Sequence, residues 1–404
     1  MDQLNLQKHF PELNQKIRGK NLVYLDSAAT AFKPRAVIDE VTKYLSDEVA
    51  NIHRGAHYLA DRGTERFEAS RSKIAKFINA KSNKEIIFVR STTEGINLVA
   101  SSLGGLLIGQ GDEVLLSHLE HHGNLIPWHM ITQQKQAKLV PFQIQPDGRF
   151  DLQDLKTKLN SRVKILAISG CSNVLGGFTQ LKEAIQLAHS VGVKVVVDAA
   201  QLVTCQSIDV QDLDCDFLAF SGHKLFGPTG IGVLYGKEDL LNSMPPYQGG
   251  GSMIQKVSFS EVSYLNSPHR FEAGTPAVAE AIGLGAAIDF VEQIGLSAIH
   301  HHEQQLVNQC VAQLKAISGV TVFGHSDNKA GIVSLKVDGI HHSDIANILD
   351  QQGIAVRAGH MCAQPVMDYL KVNGVLRASF SIYNTSNDVD AFIHGLKKAK
   401  ELLS

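Results

Sequence analysis

The sequence is poor in everything that would mark it for an oxidising compartment, a membrane or a nucleic acid. Of its 404 residues only five are cysteines: Cys171, Cys205, Cys215, Cys310 and Cys362. They form no Cys-x-x-Cys pair, which argues against a disulfide framework and against a thiolate zinc site. No run of about eighteen apolar residues is present to span a bilayer as a helix. The formal net charge is -2, with acids and bases interspersed, so no global field steers the chain towards nucleic acid or anionic lipid. Residues Met1 to Asn5 lack the basic-then-apolar pattern of a signal peptide, and a cytoplasmic location is expected. Internal repeats and low-complexity tracts are also missing.

What is present is alternation. Residues 1–20 read as a polar helical arm, with apolar contacts at Leu4, Phe10 and Leu13, packing with the smaller unit. From residue 21 to 275, short apolar strands (86–89, 113–117, 138–143, 163–168, 193–197, 217–221) are separated by helical segments. That pattern predicts an α/β domain whose mostly parallel sheet is buried on both faces. From 276 to 404 a long helix (276–317) leads into a smaller α/β unit with strands at 332–337, 354–357 and 375–381.

The chain is organised around Phe217-Leu218-Ala219-Phe220-Ser221-Gly222-His223-Lys224, an apolar strand ending in a lysine. Desolvation there would lower the ammonium pKa and free the amine for Schiff-base chemistry; a surface lysine on a turn is the alternative. Other candidates also fall at strand ends, where open α/β sheets gather ligands. Ser91-Thr92-Thr93-Glu94 opens a helix and suits a phosphate, or is a plain cap. Asp198 follows the most apolar strand and needs a partner, either a protonated ring nitrogen or a structural donor; Gln201 lies three residues on. His121 could lie over an aromatic ring and move a proton, or be structural, while His122 beside it points elsewhere. Arg377 sits inside an apolar strand and requires a carboxylate from protein or substrate. Cys362 lies in the loop Arg357-Ala358-Gly359-His360-Met361-Cys362-Ala363-Gln364-Pro365, where Arg357 and His360 would favour a thiolate.

Together these residues resemble the fold-type I pyridoxal-phosphate enzymes of the class V aminotransferase family, and within it the cysteine desulfurases of the SufS/CsdA type. The resemblance runs from Leu25-Asp26-Ser27-Ala28-Ala29-Thr30 to the last helix. Its most specific parts are Phe220–Gly232 and Arg357–Pro365. It implies a seven-stranded-type sheet and a homodimer. Lys224 would hold the cofactor covalently, with Asp198 at the pyridine nitrogen, Gln201 at the ring hydroxyl and His121 stacked on the ring. Thr92, Thr93, Ser221 and His223 would hold the phosphate, completed by Thr275 from the second subunit. Arg377 would clamp the carboxylate of L-cysteine, with Asn173 and Arg357 close by. Cys362 would take the sulfur as a persulfide and pass it to a SufE/CsdE-like acceptor protein, leaving alanine. Selenocysteine lyase and cysteine-sulfinate desulfinase are alternative reactions on the same scaffold. A non-catalytic sulfur carrier would need neither Lys224 nor Asp198. Two positions depart from the pattern. Met361 stands before the cysteine where relatives often carry a histidine or other polar residue, and Ser169-Gly170-Cys171-Ser172-Asn173 lacks a histidine.

Overall fold

A computed structural model describes residues 6–324 and 328–404; Leu4 lies outside the described residues. The central sheet contains β1 (Ile86–Val89), β2 (Glu113–Ser117), β3 (Lys138–Phe142), β4 (Val163–Ser169), β5 (Lys194–Asp198), β6 (Phe217–Ser221) and β7 (Gly232–Gly236). Their order in space is β1-β7-β6-β5-β4-β2-β3. Strands β2 to β6 are parallel, and β7 runs antiparallel to both its neighbours.

Successive side chains on a strand point to opposite faces. Leu166, Val195, Val197 and Leu218 accordingly enter one core, and Ile165, Val196 and Ala219 the other. Because helices cover both faces, these strands read as unbroken apolar runs rather than alternating ones. Strand β3 departs from the expected buried strand over 138–143. It is the sheet edge, half exposed, and carries Pro141 where a missing N–H breaks no ladder.

Helices α1 (Arg35–Lys43), α2 (Tyr58–Phe77) and α3 (Thr92–Val99) flank the sheet. The long helix expected over 276–317 is two helices, α4 (Val278–Ile294) and α5 (Leu296–Lys315), bent by 75°. The break is Gly295, whose φ of +88° is open to glycine and strained for any other residue. Helix α4 packs on α1 and α2, whereas α5 packs on the C-terminal sheet.

That second sheet holds β8 (Val320–Phe323), β9 (Ile332–Val337), β10 (Arg357–Gly359) and β11 (Val375–Ser379), all antiparallel, in the order β8-β9-β11-β10. The expected strand over 354–357 splits. Ile354–Ala355 pairs in parallel with Val23–Tyr24, and Arg357 begins β10. A short helix, α6 (Gln364–Leu370), and a long one, α7 (Ser386–Leu403), complete this unit.

The N-terminal arm is less helical than its composition suggests. Pro11–Asn14 make one tight turn and Lys16–Ile17 form a hairpin with Lys20–Asn21, turned at Gly19 with φ +77°. Phe10 is fully buried among Phe226, Phe290 and Tyr383 and so ties the arm to both units. A further hairpin, Ile254–Val257 with Val262–Tyr264, projects Phe259 into solvent. No single helix among the described residues is long and apolar enough to cross a membrane.

Candidate active site

The carboxyl ends of β2, β4, β5 and β6 open onto a cavity of about 190 Å³. One side chain from each strand end reaches its wall or floor, as the parallel register dictates. Lys224 ends the single turn that follows β6 and faces this cavity. Its amine makes no hydrogen bond to the described residues. Burial, then the charges of Arg377 and Arg357, pull its pKa down to about 8 against the opposing pull of Asp198.

Asp198 is buried at the end of β5, and its Oδ1 accepts the Ala200 N–H at 2.9 Å. Burial raises its pKa, and Lys224 opposes the rise. Oδ2 makes no hydrogen bond to the described residues, and Asp198 lines the same cavity as the Lys224 amine. Gln201 is buried nearby and donates through Nε2 to Ala28 O at 2.7 Å.

Helix α3 brings its N-terminus to the same cavity. Ser221 Oγ accepts the Thr92 N–H at 2.8 Å and lies 2.7 Å from Thr92 Oγ1, so the end of β6 and the start of α3 are one unit. A side chain at Gly232 would bring a Cβ within 2.8 Å of Phe220 O and Ser91 Cα; glycine allows this approach. Thr93 is exposed beside Thr92 at the cavity rim. The His223 carbonyl accepts from Ala31 N–H (3.1 Å), Lys33 Nζ (3.2 Å) and Thr30 Oγ1 (3.3 Å), which fixes the turn that presents Lys224. Burial first, then Lys224 and Lys33, lower the His223 ring to about 4.

His121 lies one short turn beyond β2. The Gly123 N–H donates to its Nδ1 at 2.9 Å, so the neutral ring carries its proton on Nε2. Burial, then Lys224, His122 and the two arginines, lower its pKa to about 4.

Arg377, from β11, is buried and partnered from both sides. Nη2 donates to Asp26 Oδ1 at 2.9 Å and Nη1 to Asn173 O at 3.0 Å, while Nε is buried without a partner. Asn173 turns its amide the other way, donating through Nδ2 to Met361 O at 2.7 Å. Met361 lines the cavity, and Cys362 follows it, half-buried, with Arg357 Nη2 3.8 Å from Sγ. The structure thus lines this one cavity with every site residue read from the sequence except Cys362, which sits just outside it against Arg357, and Thr275. That residue is exposed, beside a separate depression lined by Phe88, Arg90 and Tyr247.

The aminotransferase class-V family pattern matches residues 23–392. This chain belongs to the class-V aminotransferase family. Among relatives of this class-V chain, a probable cysteine desulfurase of Halalkalibacterium halodurans is 47% identical over 401 residues, which cover 99% of this chain and 98% of that one. The crystal structure of the cysteine desulfurase CsdA, in S-sulfonic acid form, from Escherichia coli matches with a TM-score of 0.93 and 42% identity, covering 100% of both chains. The apo cysteine desulfurase of Thermococcus onnurineus matches with a TM-score of 0.90 and 38% identity over 98% of each chain.

Three residues of this class-V site escape a reading of the sequence. Asp26 is the carboxylate that Arg377 required, and the pairing of Val23–Tyr24 with Ile354–Ala355 and of Asp26 with Ser379 of β11 brings it near. Glu120 is fully buried and accepts from Ser117 Oγ, Ser169 N–H (3.1 Å), Ser169 Oγ (2.6 Å) and Asn124 Nδ2 (2.6 Å). Burial pushes it up to about 7 against those donors. A carboxylate beside His121 at a strand end was its signal. His122 contacts the cysteine loop, rather than pointing elsewhere.

Proposed function

We infer that this protein is a pyridoxal-phosphate-dependent cysteine desulfurase, which converts L-cysteine to L-alanine and passes the sulfur to Cys362 as a persulfide. One observation carries the reading: a lysine amine softened to about 8 and a buried carboxylate share a cavity at whose wall the Cys362 loop is held. The donor set fits the cofactor. Lys224 supplies the amine, Asp198 an acceptor for a protonated ring nitrogen, and Gln201 an amide for the ring oxygen. Thr92, Thr93, Ser221 and His223, around a helix N-terminus, suit the phosphate. Pyridoxal phosphate, when bound, supplies an electron sink for the pair released at the substrate Cα.

The chain's own groups do the rest. Arg377 and Arg357 present positive charge for the substrate carboxylate, and Asn173 and Asp26 hold Arg377 in line. His121 holds a proton on Nε2, facing the cavity, where it is placed for delivery or return. Cys362 Sγ, beside the Arg357 guanidinium, would attack the substrate sulfur and lose its proton; an S–S bond forms as the substrate Cβ–S bond breaks, and Cβ keeps that bond's electron pair and takes a proton, giving alanine. The exposed position of Thr275, away from the cavity of its own chain, supports a homodimer in which it reaches the partner's phosphate site. The half-exposed Cys362 supports onward transfer to a SufE/CsdE-like acceptor protein.

The test is to mix cofactor-loaded protein with L-cysteine and reductant and to measure alanine and sulfide together. Equal amounts are expected from the native protein, and almost none from Cys362→Ala. Undiminished sulfur release by Cys362→Ala would overturn the persulfide route. Turnover of selenocysteine or cysteine sulfinate alone would point to the alternative reactions.

A further inference from the structure

We propose that His122 is a positioning residue that clamps the sulfur-accepting loop to the large sheet, bracketing Cys362 from both sides. The His122 N–H donates to Cys362 O at 2.7 Å, and the His122 Nε2 accepts the Gln364 N–H at 3.2 Å. One residue thus bonds the main chain at Cys362 itself and two positions beyond it. Asn173, on the extension of β4, adds the third tie through Met361 O.

The loop needs such ties. Met361 and Cys362 are consecutive non-glycine residues with φ of +54° and +53°, a left-handed conformation that crowds Cβ against the backbone. Within the loop itself the Ala363 N–H bonds back to His360 O at 2.9 Å. The loop hangs from β10 of the small sheet, whereas His122 and Asn173 belong to the large one. These cross-unit bonds therefore hold Cys362 in a strained conformation beside Arg357 and the cavity. Without them the exposed Gln364 N–H would bond to water and the two left-handed residues would relax. The His122 ring also lies 5.7 Å from that of His360, and burial together with His360 lowers its pKa, in keeping with the Gln364 N–H donating to its Nε2.

The assignment rests on Cys362 as the sulfur acceptor, and its test is separable from that reading. In cofactor-loaded His122→Leu, amide exchange in the peptide containing Gln364 should rise about fivefold, the effect of losing one hydrogen bond. Persulfide formation on Cys362 in a single turnover should slow by a similar factor. The visible-spectrum change on adding L-cysteine should keep its midpoint, because Arg357 and Arg377, which present charge to the substrate carboxylate, are held by the pairing of β10 with β11 and not by His122. His122→Gln, whose Oε1 reaches the place of Nε2, should restore both quantities. Native-like exchange and persulfide formation in His122→Leu would overturn the proposal, as would failure of His122→Gln to recover them. If His122→Leu does not fold, His122→Asn, too short to reach Gln364, takes its place in the comparison. Sulfur release that survives Cys362→Ala would instead sink the persulfide reading and leave the exchange result standing.

Discussion

Arg377 Nη2 lies 2.9 Å from Asp26 Oδ1, a salt bridge that joins the N-terminal chain to the small sheet beside the cavity. The guanidinium is almost wholly buried, whereas the Asp26 side chain keeps about a quarter of its surface. Asp26→Asn leaves a buried cation unpaired. Partial exposure keeps the loss at the lower end of such cases, about 3 kcal/mol by urea unfolding. Arg377→Lys keeps the charge but loses the fork that serves Asp26 and Asn173, so KM for cysteine should rise at least tenfold.

Lys224 should titrate early. Its pKa is lowered to about 8 from 10.5, so the free-amine fraction grows as pH rises through about 8. The rate at which cofactor-free protein takes up pyridoxal phosphate should therefore climb between about pH 7 and 9 and then level off. A rate still climbing towards pH 10.5 would show an ordinary surface amine.

His121 should stay neutral across the working range, since its pKa is lowered to about 4. His121→Gln is expected to lower kcat by about a hundredfold, in the usual range for a lost proton-transfer group. The acid limb of the pH–rate profile above pH 5 should be unchanged in the variant, because that limb belongs to another group.

Glu120 should matter through His121. Glu120→Ala strips four donors of their acceptor inside the core and should cost about 3 kcal/mol or more in thermal or urea unfolding. Glu120→Gln keeps the shape and part of the acceptor capacity, so its loss should be roughly half as large. If the two variants prove equally stable, the network carries little of the turn that presents His121.

Lys224, Asp198, His121 and Cys362 were legible in the sequence because each departs from its surroundings: a charge, an imidazole or a thiol at the end of an apolar strand or in a glycine-flanked loop. The sheet was legible for a related reason. A strand covered on both faces has no room for polar residues, so β4, β5 and β6 announce themselves as apolar runs. Strand β3 was misread as buried because an edge strand has the same composition until its neighbours are known.

Local pattern determined most strands of the large sheet, the family and which residues could carry chemistry, because strand burial, helix caps and strand-end polar groups act over a few neighbours. Tertiary structure alone decided the partnerships. That Arg377 would find Asp26, that Asn173 would spend its amide on Met361 O, and that His122 would grip both ends of the Cys362 turn are contacts between residues 188 to 351 positions apart for the first two and 242 for the ring bond of the third. Hydrogen bonds depend on distances of about 3 Å and on direction, which no local propensity encodes. The pairing of the N-terminal chain with the small unit sets the first, and the docking of the small sheet against the large one sets the other two.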